Sequence, residues 1–148
     1  MSGNLASIDL PDINVWLALS APDHPHRDLA ERYWREQASS RIAFNTVTML
    51  GLVRISSNAA VLGGQPLTPA DAWNVYLGWR EMAEVTYVPE PKTCGVVLNR
   101  WVSSDAVTPR TWTDAYLAAF AVAGGCRLVT LDRDFRRFQG LDVLLLEK

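Results

Sequence analysis

Apolar positions in this chain fall into short runs with two different spacings, and turn residues separate them. Residues 8–10 form a compact apolar strand, and Asp12 stands where a capping residue belongs, ahead of a short helix over 13–19. Ser20-Ala21-Pro22-Asp23-His24-Pro25 is a turn cluster, after which Leu29, Ala30, Tyr33 and Trp34 recur at helical spacing. A second strand over 41–45 leads into a helix over 46–56, and Gly63-Gly64-Gln65-Pro66 marks a loop. Thr68-Pro69-Ala70-Asp71 is a helix start, with Thr at the cap, Pro at the first helical position and an acid three residues after the cap. That helix runs through Trp73, Tyr76, Leu77 and Arg80.

The second half continues the alternation. A third strand over 86–88 precedes a helix over 92–102, and the strongest helical pattern spans 111–123 and stops at Gly124-Gly125. A fourth strand over 127–131, a helical turn over 133–138 and a closing strand over 142–146 complete the chain. Near-continuous apolar strands alternating with helices predict an α/β fold with a parallel sheet covered on both faces.

The 148 residues suit one domain, 1–148, long enough to bury about two thirds of the unfolded surface. The longest apolar run, 115–123, is far below the ~20 residues that cross a bilayer, and the N-terminus lacks the pattern of a signal peptide. A cytoplasmic protein with no membrane partner is expected. Cys94 and Cys126 form no CxxC pair and read as small buried residues. The net charge of −2 argues against a protein that coats nucleic acid nonspecifically, since that binding needs excess cationic side chains.

Three acids change this picture. Asp12 follows the first strand, Asp132 follows the fourth, and Asp114 opens the strongest helix. In an open parallel sheet the carboxyl ends of the strands line one crevice, where ligands bind. Each acid also has a purely structural explanation. Asp12 is a helix cap, Asp114 lies three residues after Thr111 as in a capping box, and Asp132 caps the turn that follows it. If the three meet, carboxylates ~4 Å apart repel by ~4 kcal/mol per pair at an effective dielectric near 20. A proton or cation must offset that. Oxygen-only ligands select a hard ion such as Mg²⁺ or Mn²⁺, and metal-assisted phosphodiester hydrolysis is the corresponding reaction class.

Leu10-Pro11-Asp12-Ile13-Asn14-Val15-Trp16-Leu17, Thr113-Asp114-Ala115-Tyr116-Leu117-Ala118-Ala119 and Leu128-Val129-Thr130-Leu131-Asp132-Arg133-Asp134-Phe135 resemble, in order and spacing, the acidic motifs of PIN-domain ribonucleases. They are most similar to those of VapC-type toxins from bacterial toxin–antitoxin pairs. Asp23-His24-Pro25-His26 and the segment from Thr48 through Gly51 and Arg54 to Asn58 resemble one branch of those toxins. The resemblance implies a three-layer α/β/α sandwich with a central parallel sheet. It also implies Mg²⁺-dependent cleavage of structured RNA such as tRNA or ribosomal RNA, and a homodimer neutralised by a small antitoxin. By motif position, Asp12, Asp114 and Asp132 are the metal-binding catalytic acids, with Asp134 behind them. One position departs: most of the family carries a glutamate where this chain has Gly51, which favours one ion over two.

Other residues have two readings each. Asn14 either hydrogen-bonds the Asp12 carboxylate or a metal-held water, or is an ordinary first-turn polar residue. Thr130 either orients a carboxylate or serves the strand end. Arg110, Arg133, Arg136 and Arg137 form either a phosphate-facing rim or a solvated face. His24 and His26 read as turn and helix entry ahead of catalysis. Trp73, Tyr76 and Trp79 crowd one helix, as core or as a partner surface. A catalytically silent PIN domain that binds RNA or protein is the competing reading. A phosphoacceptor receiver domain ranks last, because the only lysines, Lys92 and Lys148, are poorly placed for it.

Overall fold

The computed structural model describes residues 7–58 and 66–148. The loop expected at 63–66 lies, apart from Pro66, outside the described residues. Five parallel strands are present: β1 (Ile8–Pro11), β2 (Arg41–Phe44), β3 (Val85–Tyr87), β4 (Arg127–Thr130) and β5 (Val143–Leu145). Their spatial order is β3-β2-β1-β4-β5, which puts β1 at the centre with β4 beside it. The helices are α1 (Ile13–Ser20), α2 (Arg27–Arg32), α3 (Thr46–Ser56), α4 (Pro69–Arg80), α5 (Cys94–Ser103) and α6 (Trp112–Gly124). The result is the expected three-layer α/β/α sandwich.

The pleat assigns side chains to the two layers. Leu10, Ala43 and Leu128 pack against Val97 and Trp101 of α5 and Leu117 and Phe120 of α6. Ile42, Phe44, Val85 and Val129 meet Trp16 of α1, Leu52 of α3 and Tyr76 of α4 on the other face. Trp16 stacks on Phe44 at 3.8 Å between ring centroids, and Trp34 and Trp79 lean on it from outside. Tyr76 and Trp79 therefore serve the core, while Trp73 stays 44% exposed.

Local signals work where the chemistry is local. Thr68 accepts from the Asp71 N–H with Pro69 opening α4, and Gly125 ends α6 in the left-handed region at φ 66°. Asn45, the last residue of the expected second strand, caps α3 and shares a reciprocal capping box with Thr48. α5 begins at Cys94 instead of residue 92, because the Cys94 N–H first closes a turn onto the Pro91 carbonyl. Past α2 the chain does not stop at Trp34 but widens into a π-helical turn, Tyr33–Gln37.

That wide turn brings the chain to a buried carboxylate. Asp9 is fully buried in β1 and pairs in register with Arg127 of β4. It accepts from Arg127 Nε and Nη2, both at 3.0 Å, from the Tyr33 hydroxyl at 2.6 Å, and from the Ser39 N–H and hydroxyl at 3.0 and 2.7 Å. Burial pushes the Asp9 carboxyl up, but the bonds from Arg127, Ser39 and Tyr33 outweigh it and hold it below its ordinary value.

A carboxylate with depressed pKa stabilises the fold above its unfolded pKa, and that contribution is lost as pH falls through the folded value. Arg127→Ala leaves Asp9 buried without its cation and is expected to cost about 3 kcal/mol at neutral pH. The deficit relative to wild type should narrow as pH drops below 3.8. Urea denaturation across that range measures it, and a pH-independent deficit would show that Arg127 acts by packing alone.

Candidate functional site

At the carboxyl end of the sheet, the β1–β4 pairing continues one step beyond its last register pair, Pro11 with Val129. The Asp12 N–H donates to the Val129 carbonyl at 2.9 Å, and this sets Asp12 beside Thr130. Asp12 is 6% exposed and Thr130 is fully buried. One Asp12 oxygen caps α1, accepting from the Val15 N–H at 3.1 Å; the other accepts from the Thr130 hydroxyl at 2.6 Å. The same hydroxyl oxygen accepts from the Asp132 N–H at 3.0 Å. Thr130 is thus the joint between the first and third acids, a role that neither strand propensity nor capping announces.

Asp114 arrives from another direction. α6 leads into β4 through a tight glycine turn, so its first residues lie at the same sheet edge as the end of β4. The capping-box explanation for Asp114 does not hold. The Thr111 side chain makes no cap bond, and its hydroxyl instead accepts from the Thr108 N–H at 2.9 Å and donates to the Thr108 carbonyl at 3.2 Å. Asp132 does cap its turn, accepting from the Asp134 N–H at 2.9 Å.

The acids share one electrostatic field. Burial raises the Asp12 carboxyl to about 6 against the opposing bonds from Thr130 and Val15, and the charges of Asp114 and Asp132 add to the rise. Asp114 is likewise raised, first by burial, then by Asp132 and Asp134, with Arg137 opposing. Arg137 therefore supplies the cationic influence on Asp114. Arg110, by contrast, is exposed in the turn before α6 and joins no ion pair among the described residues.

Among the described residues, no three acidic, imidazole or thiol side chains converge tightly enough to encircle an ion. The donor set still fits a hard divalent cation, because it is all oxygen, carries excess negative charge and includes a buried carboxylate with no cationic partner. An ion that keeps several waters and takes one or two carboxylates suits such spacing.

Beside Asp132 opens a cleft of about 430 Å³, lined by Asn14, His24, His26, Leu131, Asp132 and Arg133. Asn14 is exposed here and makes no bond to Asp12. His24 and His26 do form a turn, with the His26 N–H donating to His24 Nδ1 at 3.0 Å, but that turn also walls the cleft. Sequence reasoning missed this, since nothing local says where a loop sits relative to a distant strand end. It also missed Asn45, buried at the end of β2, whose amide NH₂ has no acceptor among the described residues.

Gly51 is a packing feature. A Cβ at Gly51 would stand 2.6 Å from Ile13 Cγ1 and closer still to Ile13 Cδ1. Ile13, the neighbour of Asp12, therefore fills the space that a side chain on α3 would need.

The family model described as PIN domain matches residues 10–141. The chain is 35% identical over 145 residues to ribonuclease VapC41 of Mycobacterium tuberculosis, a match covering 94% of this chain and 99% of that protein. Among solved structures, VapBC-1 from nontypeable Haemophilus influenzae superposes with a TM-score of 0.68 at 17% identity, over 95% of this chain and 99% of that one. VapC20 of M. tuberculosis, described as a sarcin–ricin loop cleaving toxin, superposes at 0.65 with 13% identity, over 90% and 98%.

Two outcomes follow from this geometry. An acid whose folded pKa is raised leaves stability intact below its unfolded value, and stability is then lost as pH rises, here from 3.8 to about 6. Metal-free Asp12→Asn should therefore melt above wild type at about pH 7.5, with the gap closing toward pH 4, and Mn²⁺ should raise only the wild-type melting temperature. Parallel melts in EDTA and Mn²⁺ would refute this. Gly51→Ala should cost about 1–3 kcal/mol by overpacking. Much less should be lost in an Ile13→Ala background; equal losses in both backgrounds would mean that Ile13 does not limit the site.

Proposed function

The chain belongs to the PIN domain family, and from that premise we propose that it is a divalent-metal-dependent endoribonuclease toxin held silent by a cognate antitoxin. The observation that carries this reading is the contrast between Asp9 in β1 and Asp12 just past its end. Asp9 is buried with an arginine, whereas Asp12 is buried with only hydroxyl and amide donors and two further acids in its field. A buried carboxylate without a cation destabilises the folded state, and a bound cation offsets that cost.

In this reading Asp12, Asp114 and Asp132 hold Mg²⁺, with Mn²⁺ able to substitute, and Asp134 adds charge behind them. The ion supplies charge neutralisation and the acidity that lets water attack a phosphodiester at neutral pH. The protein's own contribution is positional. Thr130 gives its single proton to Asp12 and so fixes that carboxylate's orientation, while its oxygen holds the Asp132 backbone. Ile13 against Gly51 closes the position of a further acid, which supports one firmly held ion.

Structured RNA, tRNA or ribosomal RNA, is the substrate class to test first; the relative VapC41 is named a ribonuclease, and VapC20 is described as cleaving the sarcin–ricin loop. Leu50, Trp73 and Leu77 on α3 and α4 are exposed apolar side chains suited to cover by an antitoxin or a second copy in a homodimer. No helix among the described residues is long and apolar enough to cross a membrane. A cytoplasmic location, where RNA and antitoxin are both present, belongs to the same proposal.

A second reading has its own support in Gly51. Because Ile13 fills that space, the chain also fits a silent domain that binds RNA or protein without cutting. Metal decides between them: an ion bound at 100 times its dissociation constant adds about 2.7 kcal/mol of stability, and a silent domain gains little.

The direct test incubates the purified protein with total cellular RNA and either ion, and maps new 5′ ends. Wild type should produce discrete cuts, and Asp12→Asn and Asp114→Asn should lose on the order of a hundredfold or more of that activity while remaining folded. A wild type that cuts no RNA with either ion overturns the nuclease reading.

A further inference from the structure

The cleft beside Asp132 has a composition that the metal site does not explain. Its walls present the Asn14 amide, the Arg133 guanidinium and the imidazoles of His24 and His26, and Asp132 is the only acid among its lining residues. Its volume of about 430 Å³ falls in the range of small-ligand sites and suits a group of nucleotide size. Arg133 is weakly engaged elsewhere: its side chain is 78% exposed and its Nη2 lies 3.9 Å from Glu147.

The histidines are not spent on the turn they occupy. His26 stands at the cap position of α2, yet its side chain makes no capping bond. His24 Nδ1 accepts the His26 N–H, so the His24 ring carries its proton on Nε2 as a free donor. Among the described residues no other hydrogen bond engages either ring, and the two centroids lie 5.8 Å apart. Burial, with the neighbouring His26, holds the His24 pKa below its ordinary value, which disfavours a charge on the ring. Next to a cation site this matters: a lysine carries a fixed charge that repels the ion, whereas an imidazole N–H can donate to a phosphate oxygen without one.

We propose that the turn carrying His24 and His26 is a substrate-positioning subsite. The cleft takes the phosphodiester group next to the one hydrolysed, bound by imidazole N–H donors, with Asn14 beside them and Arg133 at the mouth. The subsite rests on the nuclease reading above and adds residues to it; His24 and His26 bind the strand and take no part in breaking the bond.

The two histidines are the only ones in the chain, so imidazole NMR signals report on this cleft alone. With Ca²⁺ in place of Mg²⁺, a short RNA stem–loop should move both signals, and more than inorganic phosphate at the same phosphate concentration. On an RNA spanning a mapped cut, His26→Ala and His24→Asn should each raise KM about tenfold, with kcat within about twofold and an unchanged melting temperature. Asparagine at 24 keeps an acceptor for the His26 N–H, so the turn survives. Wild-type KM in both variants, or signals that RNA leaves unmoved or shifts no further than phosphate does, overturns the subsite. A lowered melting temperature that tracks the KM change overturns it in favour of a structural turn. Wild type that cuts no RNA sinks the nuclease reading instead, and the subsite is then decided by the imidazole signals alone.

Discussion

Strand β1 and the residue that follows it carry two buried carboxylates, Asp9 and Asp12, and both are tied to β4. Arg127 and Thr130 stand at opposite ends of that partner strand, so polar pairs fix the β1–β4 register at both ends while Leu10 and Leu128 pack between them. A one-residue slip would move every side chain to the other face and bury both acids against apolar helices. The register of the central pair is therefore over-determined, and the outer strands and six helices are laid on it. The two ends differ in one respect. Asp9 receives a full positive charge and three further donors, whereas Asp12 receives two neutral donors and two like charges.

That asymmetry separates structure from chemistry between β1 and the residue that follows it. The amino end is stabilised by ionisation and the carboxyl end is destabilised by it, so the two acids pull the pH dependence of stability in opposite directions. Strain of this kind persists only where the surroundings over-determine it. Here they do: Thr130 is buried, the Asp12 N–H is bonded to β4, and α1 starts on the Asp12 carboxylate. The same arrangement makes Asp12 a cap and a functional candidate at once, since one oxygen serves the helix and the other faces Thr130.

This explains what could be read in advance and what could not. Strand and helix alternation, the Thr68-Pro69 start and the Gly125 stop are consequences of neighbouring residues, and the chain displays them openly. The position of Asp12 was legible for the same reason. The capping box suggested for Asp114 was not real, because the Thr111 hydroxyl turns back to Thr108, a choice made by loop geometry that spacing does not encode. The π-helical turn, the bridging role of Thr130 and the placement of His24 and His26 beside Asp132 all depend on contacts between distant segments. Their residue types are common in turns and strand ends, so the sequence offered ordinary explanations for the histidines and, for Thr130, a strand-end role beside a carboxylate-orienting one.

Gly51 shows how a missing residue acquires physical meaning. By the family resemblance it was a vacancy where an acid is expected; packed against Ile13, it is a close apolar contact. One acid fewer spares this edge its repulsion with Asp12, Asp114 and Asp132, whose charges already act on one another. The metal-free fold gains from this twice, by lost repulsion and by the close approach of α1 to α3. The proposed ion gives up a ligand or an orienting group in exchange. In the proposed reading, a site with one acid fewer favours a single ion over two. The imidazoles of His24 and His26 stand in the cleft beside Asp132, so in the proposed subsite they would bind the strand without adding a carboxylate to that edge.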